Sequence, residues 1–185
     1  HLNAVKRIFK YIARTTKLGI WYLKNQNCEL NGYSDPDYAG CKVDRKSTSG
    51  PCQFLGDKLI SWSSKKQNSV ALSTAEAEYV SIGNCCAQIL WIKQQLQDYG
   101  LKYNNISIKC DNTSAINLTK NPVHHSRSKH IEIRHHFIRD HVANGNINIE
   151  FVSTENQCAD IFTKPLDKNR FEFLRNEIGM CNPFS

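Results

Sequence analysis

Four carboxylates in this chain sit where a carboxylate needs a reason: Asp35, Glu78, Asp111 and Asp160. Glu78 is the clearest. On a helical wheel of about 100° per residue, Ile82, Cys85, Ile89, Ile92 and Leu96 all fall within roughly 40° of it. That stripe must face a core, so Glu78 heads an apolar face where an uncompensated charge is expensive. Glu76 points to another side of the helix and fits a capping box with Ser73. Asp35 ends the strand that starts at Leu30, where Pro36, lacking an amide proton, interrupts pairing. Asp111 ends the strand that starts at Ile106, just before a helix, and Asp160 opens the helix after the last strand. Each alone has an ordinary explanation. Glu78 reads as a satisfied boundary residue, Asp35 as an Asx turn, Asp111 and Asp160 as complements to helix N-termini. Together they mean more, because four acids cannot crowd together ionised without cations between them. Oxygen-only ligation suits Mg²⁺ or Mn²⁺ rather than zinc, and two such ions about 4 Å apart support in-line displacement at phosphorus.

The elements that must gather these acids follow from periodicity. Leu2 to about Thr15 is an amphipathic helix with Leu2, Val5, Ile8, Phe9 and Ile12 on one face. Strands are expected at Leu18–Leu23, Leu30–Asp35, Gln53–Gly56 and Lys58–Ser63, the last two joined by a hairpin across Gly56-Asp57. Residues 42–50 and 64–69 read as polar connections. The long helix runs from Ser73 to near Gly100. A strand (Ile106–Asp111), two helices (about Asn112–Lys120 and Lys129–Asn144) and a strand (Ile147–Val152) follow. A turn with a short helix (Thr154–Lys164) and a final helix (Asp167 to about Met180) end the chain. The pattern is α/β: an antiparallel meander extended by parallel strands through helical crossovers. Reactive groups in such sheets gather near the carboxyl ends of the parallel strands.

The totals set bounds. A chain of 185 residues holds one substantial domain plus extensions. Its net charge of +7 makes a polyanionic partner plausible without requiring one. None of the eight cysteines forms a C-x-x-C pair, which argues against a zinc ribbon; several lie in apolar runs and read as small buried apolar residues, and the chain reads as reduced and intracellular. No run is long enough to span a bilayer, so no membrane partner is expected. The chain starts at His1, directly in a helix, and reads as a piece of a longer polypeptide.

Ordered motifs then reach a family. They are Tyr33-Ser-Asp-Pro-Asp-Tyr-Ala-Gly40, Asp44-Arg-Lys-Ser-Thr-Ser-Gly50, Ile60-Ser-Trp-Ser-Ser-Lys-Lys-Gln67, Ala71-Leu-Ser-Thr-Ala-Glu-Ala-Glu-Tyr79, Cys110-Asp-Asn112, Lys129-His-Ile-Glu-Ile-Arg134 and Cys158-Ala-Asp-Ile-Phe-Thr-Lys-Pro165. In this order they closely resemble the ribonuclease H domain of copia-type LTR retrotransposon Pol polyproteins. The resemblance implies a ribonuclease H-like fold, a five-stranded mixed sheet of order 3-2-1-4-5 flanked by helices. It divides the chain into residues 1–17, like the end of a reverse transcriptase region, a ribonuclease H-like domain over 18–165, and a helical extension over 166–185. It implies endonucleolytic hydrolysis of the RNA strand of RNA·DNA hybrids during reverse transcription, giving 5′-phosphate and 3′-hydroxyl ends. The setting would be an intracellular retrotransposon particle in the cytoplasm, or the nucleus. The family's metal-binding catalytic acids carry over onto Asp35, Glu78, Asp111 and Asp160. Two Mg²⁺ ions, or Mn²⁺ in their place, are implied: one on Asp35 and Asp160, the other on Asp35, Glu78 and Asp111. For Asp35 against Asp37 only the family's Ser/Thr-Asp pattern decides. Two features depart from the family. Many ribonucleases H carry a mobile histidine in the loop before the last aspartate; residues 152–160 hold none, and His130 is the candidate substitute. Pro36 and Pro51 stand where related copies usually carry small or β-compatible residues.

Arg45, Lys46, Ser47, Thr48, Lys65, Lys66, Arg127, Lys129 and His130 are expected to hold phosphates, unless they are simply solvated loops. Asn112 and Ser114, beside Asp111, are the candidates for contacts to RNA 2′-hydroxyls. The reverse transcriptase domain of the same polyprotein is the expected protein partner. Two other classes compete: a decayed module that holds hybrid without cutting, and a tether that keeps a polymerase on its template. Cleavage separates the enzyme from both, and hybrid affinity separates the two from each other.

Overall fold

Short strands with alternating apolar residues and one long helix, apolar almost all round at its start, build a central sheet with helices packed on it. The computed structural model describes residues 1–24, 28–120 and 132–182, with the backbone alone for 132–135. In chain order the elements are α1 (Leu2–Arg14), β1 (Gly19–Ile20), β2 (Leu30–Tyr33), β3 (Pro36–Asp37), β4 (Thr48–Ser49), β5 (Cys52–Leu55), β6 (Lys58–Trp62) and β7 (Lys65–Lys66). Then come α2 (Thr74–Asp98), β8 (Ile106–Cys110), α3 (Thr113–Lys120), α4 (Glu132–Ala143), β9 (Ile147–Phe151), 3₁₀ turns at Thr154–Asn156 and Cys158–Phe162, α5 (Lys168–Glu177) and β10 (Met180–Cys181).

The main sheet has the order β6-β5-β2-β8-β9. Counted from β2 as the first strand, that is 3-2-1-4-5, as expected. β2 runs antiparallel to β5 and parallel to β8, and β8 runs parallel to β9. The Gly56-Asp57 turn joins β5 to β6, Leu55 opposite Lys58, with Gly56 at φ +65°. α2 lies directly on β2: a Cβ on Gly32 would come within 2.6 Å of Ile89 Cδ1 and 2.9 Å of Cys85 Sγ. Only glycine permits that approach in mid-strand. The core joins Tyr79, Ile82 and Ile89 of α2 to Leu30, Ile106, Ile108, Ile147 and Ile149 of the sheet and Ile138 of α4. Ala77 to Gly83 are buried without a break, so this end of α2 is enclosed more widely than a single stripe. Cys52, Phe54, Leu59, Cys158, Ala159 and Ile178 form a second cluster, which seats the 158–162 turn and the end of α5. Cys52, Cys85, Cys86, Cys110 and Cys158 are buried and unbridged, in the expected role of small apolar residues.

Three expectations need correction. Residues 42–50 and 64–69 are not only loops: β4 and β7 form a second sheet of order β3-β4-β7, with Pro36 opposite Ser49 and Thr48 opposite Lys66. Pro36 thus ends pairing in the main sheet and starts it in the small one. The strand expected over 18–23 shrinks to Gly19–Ile20 and pairs with Met180–Cys181, a strand absent from the sequence reading. Beyond it the Tyr22 hydroxyl donates to the Leu59 carbonyl at 2.6 Å, at the free edge of β6. The final helix stops at Glu177, where the chain turns at Gly179 with φ +85°. Two-residue strands carry no periodicity to read. α1 buries none of its residues; its Tyr11 ring meets Phe171 of α5 edge-on at 6.0 Å. Among the described residues no helix is long and apolar enough to cross a membrane.

Candidate active site

β2, β8 and β9 run side by side and parallel, so their carboxyl ends share one edge of the sheet. Asp35 lies two residues beyond β2, Asp111 one beyond β8, and Asp160 on the 3₁₀ turn after β9; Glu78 reaches the same edge from the start of α2. The backbone around Asp35 is fixed from three sides. Its carbonyl accepts from Gly50 N at 2.9 Å and from the Ser81 hydroxyl at 3.1 Å, and Gln157 Nε2 donates to the neighbouring Ser34 carbonyl at 3.1 Å. A Cβ on Gly50 would meet Thr163 Cγ2 at 2.4 Å, so glycine there admits the turn that carries Thr163 and Lys164.

That turn completes one half of the site. Lys164 Nζ lies 2.9 Å from Asp35 Oδ1 and 2.6 Å from Asp160 Oδ1. Thr163 Oγ1 donates to Asp35 Oδ2, and Arg170 Nη2 lies 3.3 Å from Asp160 Oδ2. Both carboxylates are enclosed, Asp35 at 1% and Asp160 at 3% exposure. Burial pushes the Asp35 carboxyl up to about 6, although Lys164 and Thr163 pull it down.

Among the described residues the other half has no such cationic donors. The Glu78 carboxyl is pushed up to about 9, first by burial and then by the charges of Asp35 and Asp111. Its neighbour is a thiol: Cys110 Sγ lies 3.6 Å from Glu78 Oε2. Asp111, half-exposed, accepts from Thr154 Oγ1 at 3.0 Å. Neither Glu78 nor Asp111 forms an ion pair among the described residues. One ligand atom from each of Glu78, Cys110 and Asp111 lies within 4.8 Å of the others. Asp35, Glu78, Asp111 and Lys164 line one open cleft of about 560 Å³, with Thr74, Asn112 and Thr113 beside them. Asp160, paired with Lys164, is not on the cleft wall. Buried carboxyls this reluctant to ionise, with hard oxygen donors converging on water-accessible space, fit hard divalent cations.

Asp37 lines the cleft from β3 but is half-buried, whereas Asp35 is the enclosed member of the pair. Ser47 is a correction. It is fully buried, its hydroxyl accepts from Ala39 N at 3.0 Å and its carbonyl from Gln67 N at 2.8 Å, so it braces the small sheet and offers nothing to a phosphate. Arg45 is exposed on a turn with φ +56°; Lys46 and Thr48 are half-buried. Lys66 is already paired, 3.2 Å from Asp44 Oδ2, and its ammonium also meets Cys41 Sγ at 3.1 Å. Lys65 and Lys66 line a separate cavity of about 300 Å³ beside Trp62, which holds none of the four acids. Asn112 caps α3, its Oδ1 accepting from Ala115 N at 3.1 Å, and it does line the cleft. Ser114 does not; Thr113 stands there instead. Arg127, Lys129 and His130 lie outside the described residues. The sequence reading also passed over Thr163, Lys164 and Arg170. Lys164 had a signal, four residues after Asp160 in the Cys158–Pro165 motif.

This topology and acidic edge define a ribonuclease H-like fold, and solved structures share it. Ribonuclease H1 of Halobacterium salinarum matches with a TM-score of 0.50 at 12% identity, over 73% of this chain and 94% of its own. LC11-RNase H1, isolated from compost, matches with a TM-score of 0.54 at 12% identity, over 74% of this chain and 93% of its own. The same enzyme in complex with an RNA/DNA hybrid gives 0.51 at 13% identity, over 73% and 94%. No protein-family model matches the chain. Relatives in sequence are retrovirus-related Pol polyproteins: transposons RE1 and RE2 of Arabidopsis thaliana, at 45% and 43% identity, and TNT 1-94 of Nicotiana tabacum at 38%. Each match covers 97% of this chain but only 12% to 14% of the relative. The chain thus takes its place with the copia-type Pol polyproteins, as the counterpart of one segment of them.

Proposed function

We propose that this chain is a ribonuclease H that cuts the RNA strand of RNA·DNA hybrids during reverse transcription. The observation that carries this reading is the convergence of Asp35, Glu78, Asp111 and Asp160, from four separate elements, on the carboxyl edge of three parallel strands. Burial holds two of these acids well above the usual carboxylate range, which supports a site that takes up added cations. The Pol relatives and the hybrid-bound LC11-RNase H1 point to the same substrate.

Asp35 and Asp160 would hold one Mg²⁺; Asp35, Glu78 and Asp111 would hold a second. When bound, the ions supply an activated water and charge stabilisation for in-line displacement at phosphorus, leaving a 5′-phosphate and a 3′-hydroxyl. The chain's own part is positioning. Ser81, Gly50 and Gln157 fix the backbone at Asp35, and Thr154 orients Asp111. Asn112, Thr113 and Thr74, on the cleft wall, would meet sugar hydroxyls. Arg45 and Lys65, exposed on neighbouring turns and strands, would take backbone phosphates. The bare apolar face of α1 would pack on the reverse transcriptase region of a longer polyprotein. The test is cleavage of a labelled RNA·DNA hybrid by the purified chain with Mg²⁺, with Mn²⁺ and with EDTA. Metal-dependent cutting of the RNA strand alone is expected. Tight hybrid binding without cleavage under all three conditions would instead identify a binding module.

A further inference from the structure

We propose that Lys164 is an internal cation that holds the Asp35–Asp160 half of the cleft ready and must leave when a divalent ion binds there. The inference rests on the metal-dependent reading above. One turn supplies everything the half-site needs in the absence of metal: Asp160 itself, the Thr163 hydroxyl on Asp35 Oδ2, and the Lys164 ammonium on one oxygen of each acid, at 2.9 Å and 2.6 Å. Those two oxygens are the ones a shared divalent ion would use. An ammonium this close to both stands on the ground such an ion needs, since Mg²⁺ binds its oxygens at roughly 2.0–2.1 Å. Two cations cannot share that ground without strong repulsion.

The geometry also gives the ammonium somewhere to go. Asp35 and Asp160 are almost fully buried, but the Lys164 side chain is one-third exposed and lines the open cleft. Its long stem can swing outward while the carboxylates stay fixed by Thr163 and Arg170. Lys164 cannot replace the ion chemically, because an ammonium offers hydrogen-bond donors and no open coordination position. Its role is therefore positioning: it prevents two buried carboxylates from repelling each other apart before metal arrives, at the cost of weaker metal binding.

Calorimetric titration of Mn²⁺ into metal-free wild type and Lys164→Met separates this from a purely structural ion pair. The methionine variant should bind Mn²⁺ about ten-fold more tightly, and Mn²⁺ should raise its melting temperature more than it raises that of the wild type. Equal or weaker binding in the variant overturns the exchange while leaving the metal site standing. Binding by neither protein overturns the metal reading and the exchange with it. If the variant does not fold, the wild type alone decides, through acylation of Lys164 read by peptide mass spectrometry. Lys164 should be shielded in EDTA and become reactive with Mn²⁺; unchanged reactivity overturns the proposal.

Discussion

Asp35 and Asp160 bury their carboxylates against an ammonium, a guanidinium and a hydroxyl, whereas Glu78 and Asp111 have a thiol and a hydroxyl. Asp35 is the more enclosed of the two perturbed acids, at 1% exposure against 7% for Glu78. Yet Asp35 is pushed up only to about 6 and Glu78 to about 9. Burial raises both most; Lys164 and Thr163 then pull Asp35 back, while the charges of Asp35 and Asp111 push Glu78 further up. One half of the cleft is compensated from within the chain. Among the described residues the other has no paired cation, so a proton or an ion from solution would compensate it.

The sharpest break between the halves is chemical. Glu78→Gln and Asp111→Asn should each lower hybrid cleavage on the order of 10³-fold or more, because each removes a proposed metal ligand from the half that has no paired cation among the described residues. Hybrid binding by Asp111→Asn should hardly change, since no phosphate contact is lost. Glu76→Gln is the control. Glu76 N donates to the capping Ser73 Oγ, and Glu76 Oε2 accepts from the Leu72 amide at 2.8 Å, a bond that glutamine can also accept. That variant should keep its activity. Equal rates for Glu76→Gln and Glu78→Gln would remove Glu78 from the site.

Stability against pH tests the same contrast without substrate. The folded chain holds protons on Glu78 and Asp35 that the unfolded chain has already released. Metal-free stability should therefore fall as pH rises, from 3.8 to about 6 for Asp35 and from 4.5 to about 9 for Glu78. Urea midpoints in EDTA would trace it. Glu78→Gln should abolish the decline between about 6 and 9, and so should saturating Mg²⁺ in the wild type. A decline that survives both would mean that Glu78 is not the group responsible.

How much of this was legible beforehand depended on the length of the signal. The long apolar run of α2 placed Glu78 in the core and separated it from Glu76, because 25 residues of helix give a firm periodicity. The alternation of Ile106, Ile108 and Cys110 gave β8 and hence the position of Asp111. The two-residue strands β4 and β7 gave no such signal, and with them went the burial of Ser47. Lys164 was hidden for another reason. A lysine four residues after an aspartate reads as a surface helix pair, and only the tertiary approach of Asp35, admitted by Gly50, turns it into a bridge between buried acids.

Arg170 joins the two halves and should give an intermediate effect. Its guanidinium reaches Asp160 Oδ2, and it donates to the carbonyls of Thr154 and Glu155, while the Thr154 hydroxyl holds Asp111. Arg170→Gln should loosen both acids together, lowering the turnover rate about ten-fold and stability by about 1–3 kcal/mol. A mutant cycle with Thr154→Val would check the link. If the two losses simply add, Arg170 and Thr154 act independently and the halves are not coupled through this turn.

The smallest effect belongs to Cys110, and it tests the difference between the halves most finely. Its sulfur lies 3.6 Å from Glu78 Oε2 and accepts the Asn112 amide at 3.4 Å, so the thiol proton is free to point at Glu78. Serine keeps a donor at that position and nearly the same volume. With Mg²⁺, which does not bind sulfur, Cys110→Ser should change the cleavage rate by less than about five-fold. A thiophilic ion should see the two proteins differently. Cd²⁺ entering the Glu78–Asp111 half meets a sulfur among its ligand atoms, and loses it in the serine variant. The Cd²⁺ concentration that halves Mg²⁺-supported cleavage should therefore rise about ten-fold in Cys110→Ser. The Asp35–Asp160 half offers oxygen alone, so any inhibition left in the variant reports on that half. Equal inhibition of wild type and variant would show that the sulfur plays no part in holding the ion and that Cys110 serves only to pack beneath Glu78.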